Sequence, residues 1–268
     1  MVDALRSKVE ELLKSGEIAG FLGMRLVHQH PYPHLFTLKD IGILSTLTIG
    51  DVRYPLAKII LDIARAYRDT KLGIMVRGCD ESALFELFKN FQLDPEKVVT
   101  LGVACPAEQG EKCQCPRPNP LNIIAGEKRE VVTDRSDLKK IEEMGENERY
   151  QYWMSQFGKC IKCYGCRHIC PVCFCEVCTL EHESLIQRGE IPPEVPNFHL
   201  VRAFHMAGRC VDCGLCEEAC PARIPLRTLY RKVREIVKTH FDYLPGQDSE
   251  SVPPLQLLGD GSFEISEK

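Results

Sequence analysis

Over the first fourteen residues apolar positions recur every three to four places, with Leu5, Val9, Leu12 and Leu13 on one side and Arg6, Lys8, Glu10 and Glu11 on the other. This is the period of a helix, and Ser15-Gly16 supplies its stop. A charged amphipathic helix is therefore predicted over 2–14, unlike a secretory signal. The apolar stretch from Ile18 to Val27 has the makeup of a strand. A second amphipathic helix is predicted from about Tyr54 to Tyr67, with Leu56, Ile59, Ile60, Ile63 and Ala64 on one face. Leu72 to Val76 and Val98 to Val103 are short, mostly apolar runs of strand type, each ending shortly before a cysteine. A helix from Glu81 to about Phe91 lies between them, and strand, helix, strand in this order predicts a βαβ unit with a parallel pair. Its cysteines, Cys79 and Cys105, fall at strand C-terminal ends, where α/β folds build their sites.

The pattern then changes. Residues Pro106 to Pro120 are rich in Pro, Gly and polar residues and read as a loop. A charged stretch from Asp134 to Glu148 reads as an exposed helix or linker, followed by the aromatics Tyr150, Tyr152, Trp153 and Phe157. Ile191 to Pro196 contains three prolines and reads as a stiff extended connector. A basic helix is predicted over 225–240, and from about Pro245 a polar tail.

With 268 residues, 44% hydrophobic and 27% charged, the chain suits one large globular domain or two modest ones. A net charge of -4 leaves no overall basic field for a phosphate backbone, so no nucleic-acid partner is expected, and Arg223, Arg227, Arg231, Lys232, Arg234 and Lys238 read as a solvated or partner-docking face. No apolar run approaches the roughly 18 residues of a membrane helix, so no direct membrane span and a cytoplasmic location are expected. Fifteen cysteines change the picture most. In a chain read as intracellular, an odd and large cysteine count points to metal or cluster ligation instead of disulfides.

Cys160-x2-Cys163-x2-Cys166-x3-Cys170-Pro171 returns fifty residues later as Cys210-x2-Cys213-x2-Cys216-x3-Cys220-Pro221. This is the bacterial two-cluster spacing, in which three close thiolates wrap one cubane and the fourth is carried to the other. The expected ligand sets are Cys160, Cys163, Cys166 and Cys220 for one 4Fe-4S cluster, and Cys210, Cys213, Cys216 and Cys170 for the second. Gly165 and Gly214 are expected to let backbone approach sulfur. Zinc knuckles explain a doubled four-cysteine run poorly, because crossed partners have no simple tetrahedral solution. Cys166-x3-Cys170-x2-Cys173 also matches the radical S-adenosylmethionine pattern, but the repeat already uses its first two cysteines.

Seven cysteines remain. Cys79, Cys105, Cys113 and Cys115 are candidates for a third 4Fe-4S cluster, the plainer alternative being small buried hydrophobes. Cys173, Cys175 and Cys178, with His182, admit three readings: a zinc site, a further cluster, or free thiols. His28, His30 and His34 lie in a Pro-containing stretch that reads as a solvated loop, with metal binding the lesser alternative. Gly20 and Gly23 lack the spacing and the acidic residue of a dinucleotide fingerprint.

Arg77-Gly78-Cys79-Asp80-Glu81-Ser82-Ala83-Leu84, then Leu101-Gly102-Val103-Ala104-Cys105 and a cysteine pair before Pro116, resembles the β-subunit family of deazaflavin-coenzyme-reducing hydrogenases and related formate dehydrogenases. The resemblance covers roughly residues 1–125 and implies a 4Fe-4S cluster beside a flavin. The pair here is Cys113-x-Cys115, with one spacer where the family usually has two, and the features of a flavin domain are not evident, so FAD stands outside the primary expectation. The second half is similar to dicluster ferredoxins and to iron-sulfur subunits of heterodisulfide reductase-type complexes.

The expected organisation is an α/β cysteine-bearing domain with short parallel strands over 1–126, a charged linker or helix over 127–149, a mainly α ferredoxin-like dicluster domain over 150–244 and a polar tail over 245–268. The expected role is an iron-sulfur electron-transfer subunit of a cytoplasmic redox complex of anaerobic metabolism. Expected partners are a flavoprotein or heterodisulfide reductase-like subunit and a hydrogenase, formate or pterin-linked dehydrogenase. The competing expectation is a deazaflavin-type reductase with its own catalytic site.

Overall fold

The computed structural model describes residues 2–131, 134–187 and 189–254. The chain divides into two compact units, 1–133 and 134–268. The charged stretch after 134 thus contributes helices to the second unit.

The first unit is built on a mixed sheet of β1 (Gly20–Val27), β2 (His30–Thr37), β3 (Leu47–Thr48), β4 (Leu72–Val76) and β5 (Val98–Gly102), with main order β2-β1-β4-β5. The β1/β4 and β4/β5 pairs are parallel, while β2 and β3 pair antiparallel with β1. β4 is buried along its whole length, which is why its sequence is a continuous apolar run without alternation. α1 (Asp3–Lys14) presents Leu5, Val9, Leu12 and Leu13 to the core, and α2 (Leu56–Ala66) presents Ile60 and Leu61. α3 (Gly78–Lys89) links β4 to β5 as the sequence predicts, but begins three residues earlier than its periodicity indicates. Asp80 explains the early start: its Oδ2 accepts from the Arg77 N–H at 3.2 Å and caps the first turn.

The stretch bearing His28, His30 and His34 is a hairpin, not a loop. His28 and Gln29 both adopt positive φ between the paired residues Val27 and His30, the geometry of a two-residue turn. Pro31 and Pro33 are tolerated because β2 lies at the sheet edge, with β1 as its neighbour.

The second unit is helical: α5 (Ser136–Glu142), α6 (Glu146–Phe157), α7 (Gly165–His168), α8 (Asn197–Met206), α9 (Leu215–Glu218) and α10 (Leu226–Phe241) follow α4 (Ala107–Cys113) of the first unit. Phe157, Phe198, Met206, Leu226 and Tyr230 are buried in it. Phe157 stacks on His199 at 4.6 Å between centroids and on Trp153 at 5.4 Å, so the aromatic run of α6 seats it on α8. The arginines of α10, read as a solvated or partner-docking face, are engaged within the unit. Arg227 Nε donates to Asp212 Oδ1 at 2.6 Å, Arg231 Nε donates to the same carboxylate at 2.9 and 3.0 Å, and Arg234 Nε donates to the Cys210 carbonyl at 3.2 Å. The cause is a buried acceptor: Asp212 is 6% exposed, and its carboxylate needs cations to balance it. Arg234 Nη2 also donates to the Pro245 carbonyl, tying down the start of the tail, whose residues 255–268 lie outside the described residues.

Gly102 ends β5 where the following loop crosses closely; a Cβ there would lie 1.8 Å from the Asn122 carbonyl oxygen. Gly102→Ala is expected to displace this loop and cost about 1–3 kcal/mol, as overpacking typically does. Urea unfolding of the full chain followed by circular dichroism checks this, and unchanged stability would contradict the close approach.

Candidate metal centres

The two cysteine repeats fold alike. In the first, Lys162 and Tyr164 adopt left-handed backbone with φ of 52° and 55°; in the second, Asp212 and Gly214 do so at the same positions with 57° and 76°. α7 and α9 follow in register. Left-handed residues turn successive amides toward one side, and here toward sulfur. Lys162 N–H lies 3.4 Å from Cys160 Sγ, and the amides of Val172 and Asp212 favour the ionised thiols of Cys170 and Cys210. Gly214 serves the left-handed turn and not the expected approach to sulfur, since a Cβ there would meet the Arg227 side chain at 3.1 Å. Gly165 does not occupy the matching left-handed position, which Tyr164 takes; a Cβ on Gly165 would meet Cys163 Sγ at an ordinary 3.5 Å.

The thiols assemble in crossed groups. Burial pushes the Cys160 thiol up, and so do its neighbours Cys163 and Cys220. Cys166 is raised first by burial and then by Cys160, Cys163 and Cys220. In the second group burial, Asp212 and Cys170 push Cys210 up to about 12, and Cys216 is raised by burial and by Cys213, Cys210 and Cys170. Cys170 therefore sits with the later repeat and Cys220 with the earlier one. Such thiols ionise only when a cation or cluster compensates them. The first group reaches the surface at Cys163, which is exposed, whereas Cys170 and Cys216 are buried. A pocket beside the second group is lined by Cys170, Cys210, Cys213 and Cys216 together with Arg202 and Tyr230.

In the first unit, Cys79 lies in the first turn of α3, Cys105 just beyond β5, Cys113 at the end of α4, and Cys115 after the left-handed Gln114. Glu81 clamps the loop that carries the pair: it accepts from the Leu121 amide and, at 2.6 Å, from Arg117 Nη2. Gly78 lets this loop close in, since its Cβ would lie 2.1 Å from the Arg117 carbonyl oxygen. Cys105 is raised by burial and by Cys113, while Arg77 and Arg53 pull it down. Gln109 Nε2 donates to Cys113 Sγ at 2.7 Å, and the Arg117 amide lies 3.4 Å from Cys115 Sγ. Burial lifts the Asp80 carboxyl to about 6 against the opposing pull of Arg77, whose Nη2 donates to the carbonyls of Ile49 and Gly50. Arg53 near Cys105 was not foreseen from the sequence, and Arg77 was read only as part of the family motif.

Cys173, Cys175, Cys178 and His182 lie in different surroundings. Cys173 Sγ accepts from Arg202 Nη1 at 3.5 Å, Cys175 is exposed, and Cys178 is buried in an apolar cluster with Leu180, Ile186 and Phe198. His182 Nδ1 pairs with Ser184 Oγ at 2.7 Å. Among the described residues, no three Cys, His, Asp or Glu side chains converge on a single-ion site, those of the β2 histidines included.

The α/β unit with a parallel core and the helical unit with doubled cysteine loops are the parts of an iron-sulfur protein. Residues 204–225, which hold the later repeat, match the 4Fe-4S binding domain family. The chain is 36% identical over 152 residues to the F420-dependent formate dehydrogenase subunit beta of Methanocaldococcus jannaschii, covering 56% of this chain and 40% of that protein. It is 39% identical over 144 residues to the F420-dependent formate dehydrogenase 1 subunit beta of Methanococcus maripaludis, covering 54% and 37% respectively. It is also 32% identical over 110 residues to the sulfhydrogenase 2 subunit beta of Pyrococcus furiosus, covering 31% and 33%. The chain thus spans well under half the length of these relatives. Over about half of its own length the chain is thus similar to formate dehydrogenase β-subunits, and its later cysteine repeat matches a 4Fe-4S binding domain.

Crossed grouping predicts that Cys170→Ala damages the site of Cys210, Cys213 and Cys216 more than that of Cys160, Cys163 and Cys166. Electron paramagnetic resonance of the reduced variant checks this, and loss confined to the earlier site would contradict it. Replacing Cys105 by Ala is expected to remove about four irons and leave the tandem pair intact; unchanged iron content would return Cys105 to a buried thiol.

Proposed function

We propose that the chain is an iron-sulfur electron-transfer subunit holding two 4Fe-4S clusters in its second unit and a third in its first. Cys160, Cys163, Cys166 and Cys220 would hold one, Cys170, Cys210, Cys213 and Cys216 another, and Cys79, Cys105, Cys113 and Cys115 the third. The observation that carries this reading is the crossed gathering of eight thiols by two loops of the same conformation. A 4Fe-4S cluster, when bound, accepts and releases one electron at a time. The chain's residues supply the rest. Left-handed loops aim amides at sulfur, apolar packing excludes water from Cys170 and Cys216, and exposure at Cys163 brings the earlier site to the surface of the unit.

Partners follow from the relatives' names, which associate them with formate dehydrogenase and sulfhydrogenase. In this reading the chain exchanges electrons with a flavin- or metal-containing subunit of a formate dehydrogenase- or hydrogenase-type complex, and with a second, heterodisulfide reductase-like partner, in the cytoplasm. No helix among the described residues is long and apolar enough to cross a membrane.

A relay is expected to show no turnover alone. The isolated, reconstituted chain, offered reduced deazaflavin coenzyme, NADH, formate or hydrogen with a viologen dye as acceptor, should stay inactive until a partner subunit is added. Robust turnover by the chain alone would instead establish a catalytic site of its own.

A further inference from the structure

α8 carries a charge on its buried side, beside His199 and among apolar residues. Phe198, Arg202 and Met206 follow one another at helical spacing on its buried stripe, and Arg202 is only 3% exposed. Its Nη2 donates to the carbonyl of Cys166, in the earlier thiol group, at 2.7 Å. Its guanidinium also lines the pocket of the later group beside Cys170, whose ionised form it favours, and Nη1 donates to Cys173 Sγ at 3.5 Å. Among the described residues no carboxylate pairs with it. On its other side lies the Tyr230 ring, 5.7 Å from the guanidinium carbon to the centroid. Tyr230 is 2% exposed, lines the pocket beside the later thiol group, and its hydroxyl has no hydrogen-bond partner; neither has Arg202 Nε.

A guanidinium without a carboxylate is costly inside a protein unless other negative charge faces it. The anions available here are thiolates of both groups. We propose that Arg202 and Tyr230 form a positioning pair shared by the two ferredoxin-type sites, Arg202 raising the reduction potential of both and Tyr230 donating a hydrogen bond into the later one. The inference rests on the two-cluster reading above. Each site becomes more negative by one charge on reduction, and a fixed cation between them stabilises that charge on either side. Removing the cation therefore disfavours reduction of both sites together, which a change local to one loop would not do. A hydroxyl donor aimed at sulfur acts in the same sense on the site it touches.

The test is a potentiometric titration, followed by electron paramagnetic resonance, of the reconstituted full chain as wild type, Arg202→Gln, Arg202→Lys and Tyr230→Phe, with iron counted in each sample. Arg202→Gln is expected to disfavour reduction of both sites about tenfold, a negative shift of about 59 mV for a one-electron couple, at unchanged iron content. Arg202→Lys should stay close to wild type, and Tyr230→Phe should shift the later site alone. Full iron content in Arg202→Gln with either midpoint unmoved overturns the proposal, as does a lysine variant displaced as far as the glutamine one. If Arg202→Gln takes up no iron, the other two variants decide: a loaded lysine variant at wild-type potentials with a shifted Tyr230→Phe supports the pair, and failure of the lysine variant to load makes Arg202 merely structural. A wild-type chain with about four irons or fewer would remove the two-cluster reading itself, and this inference with it.

Discussion

Negative charge concentrated in a small, largely apolar interior is the constraint on which the second unit depends. In the proposed two-cluster reading eight cysteines act there as thiolates, yet burial pushes Cys160, Cys166, Cys170, Cys210 and Cys216 toward the protonated form. Ionisation becomes favourable only if metal, amide donors and fixed cations compensate it. Left-handed backbone turns the amides of Lys162 and Asp212 toward Cys160 and Cys210, and three of the four left-handed positions, Lys162, Tyr164 and Asp212, are held by residues that have a Cβ and bear its strain. Arg202 provides the cation.

The same constraint accounts for α10. Asp212 presents its amide to Cys210 while its own carboxylate is buried, so an unbalanced charge would oppose the thiolate beside it. Arg227 and Arg231 neutralise that carboxylate and lock the loop, and Arg234 holds the Cys210 carbonyl. A helix that looks like a basic docking surface is thus largely a brace for the Cys210 loop, leaving Lys232 and Lys238 as its exposed cations. The first unit solves a smaller version of the problem with Arg77 and Arg53 near Cys105 and with Glu81 clamping the loop of Cys113 and Cys115.

What could be read from the sequence was whatever leaves a periodic or spaced trace. β4, β5, α2 and α10 announce themselves through apolar runs and helical spacing, and the eight repeat cysteines through their intervals. β2 was hidden because Pro31 and Pro33 resemble loop residues and only its edge position, a tertiary fact, makes them acceptable. α3 was shortened because Gly78 and Cys79 are poor helix formers, and the Asp80 cap outweighs them. Arg202 left one faint signal, a charge on the 198, 202, 206 stripe. Which side of α10 faces Asp212 left none, since charge pattern alone does not distinguish a solvated arginine from one paired across the fold.

The central claim is that crossed thiol groups in the second unit hold two cubanes. Anaerobic iron and acid-labile sulfide analysis of the reconstituted variant in which Cys79, Cys105, Cys113 and Cys115 are all alanine tests it most directly, because only the tandem repeats then remain as proposed ligand sets. The account predicts about eight irons and eight sulfides per chain. A value near four or below in that variant would contradict it.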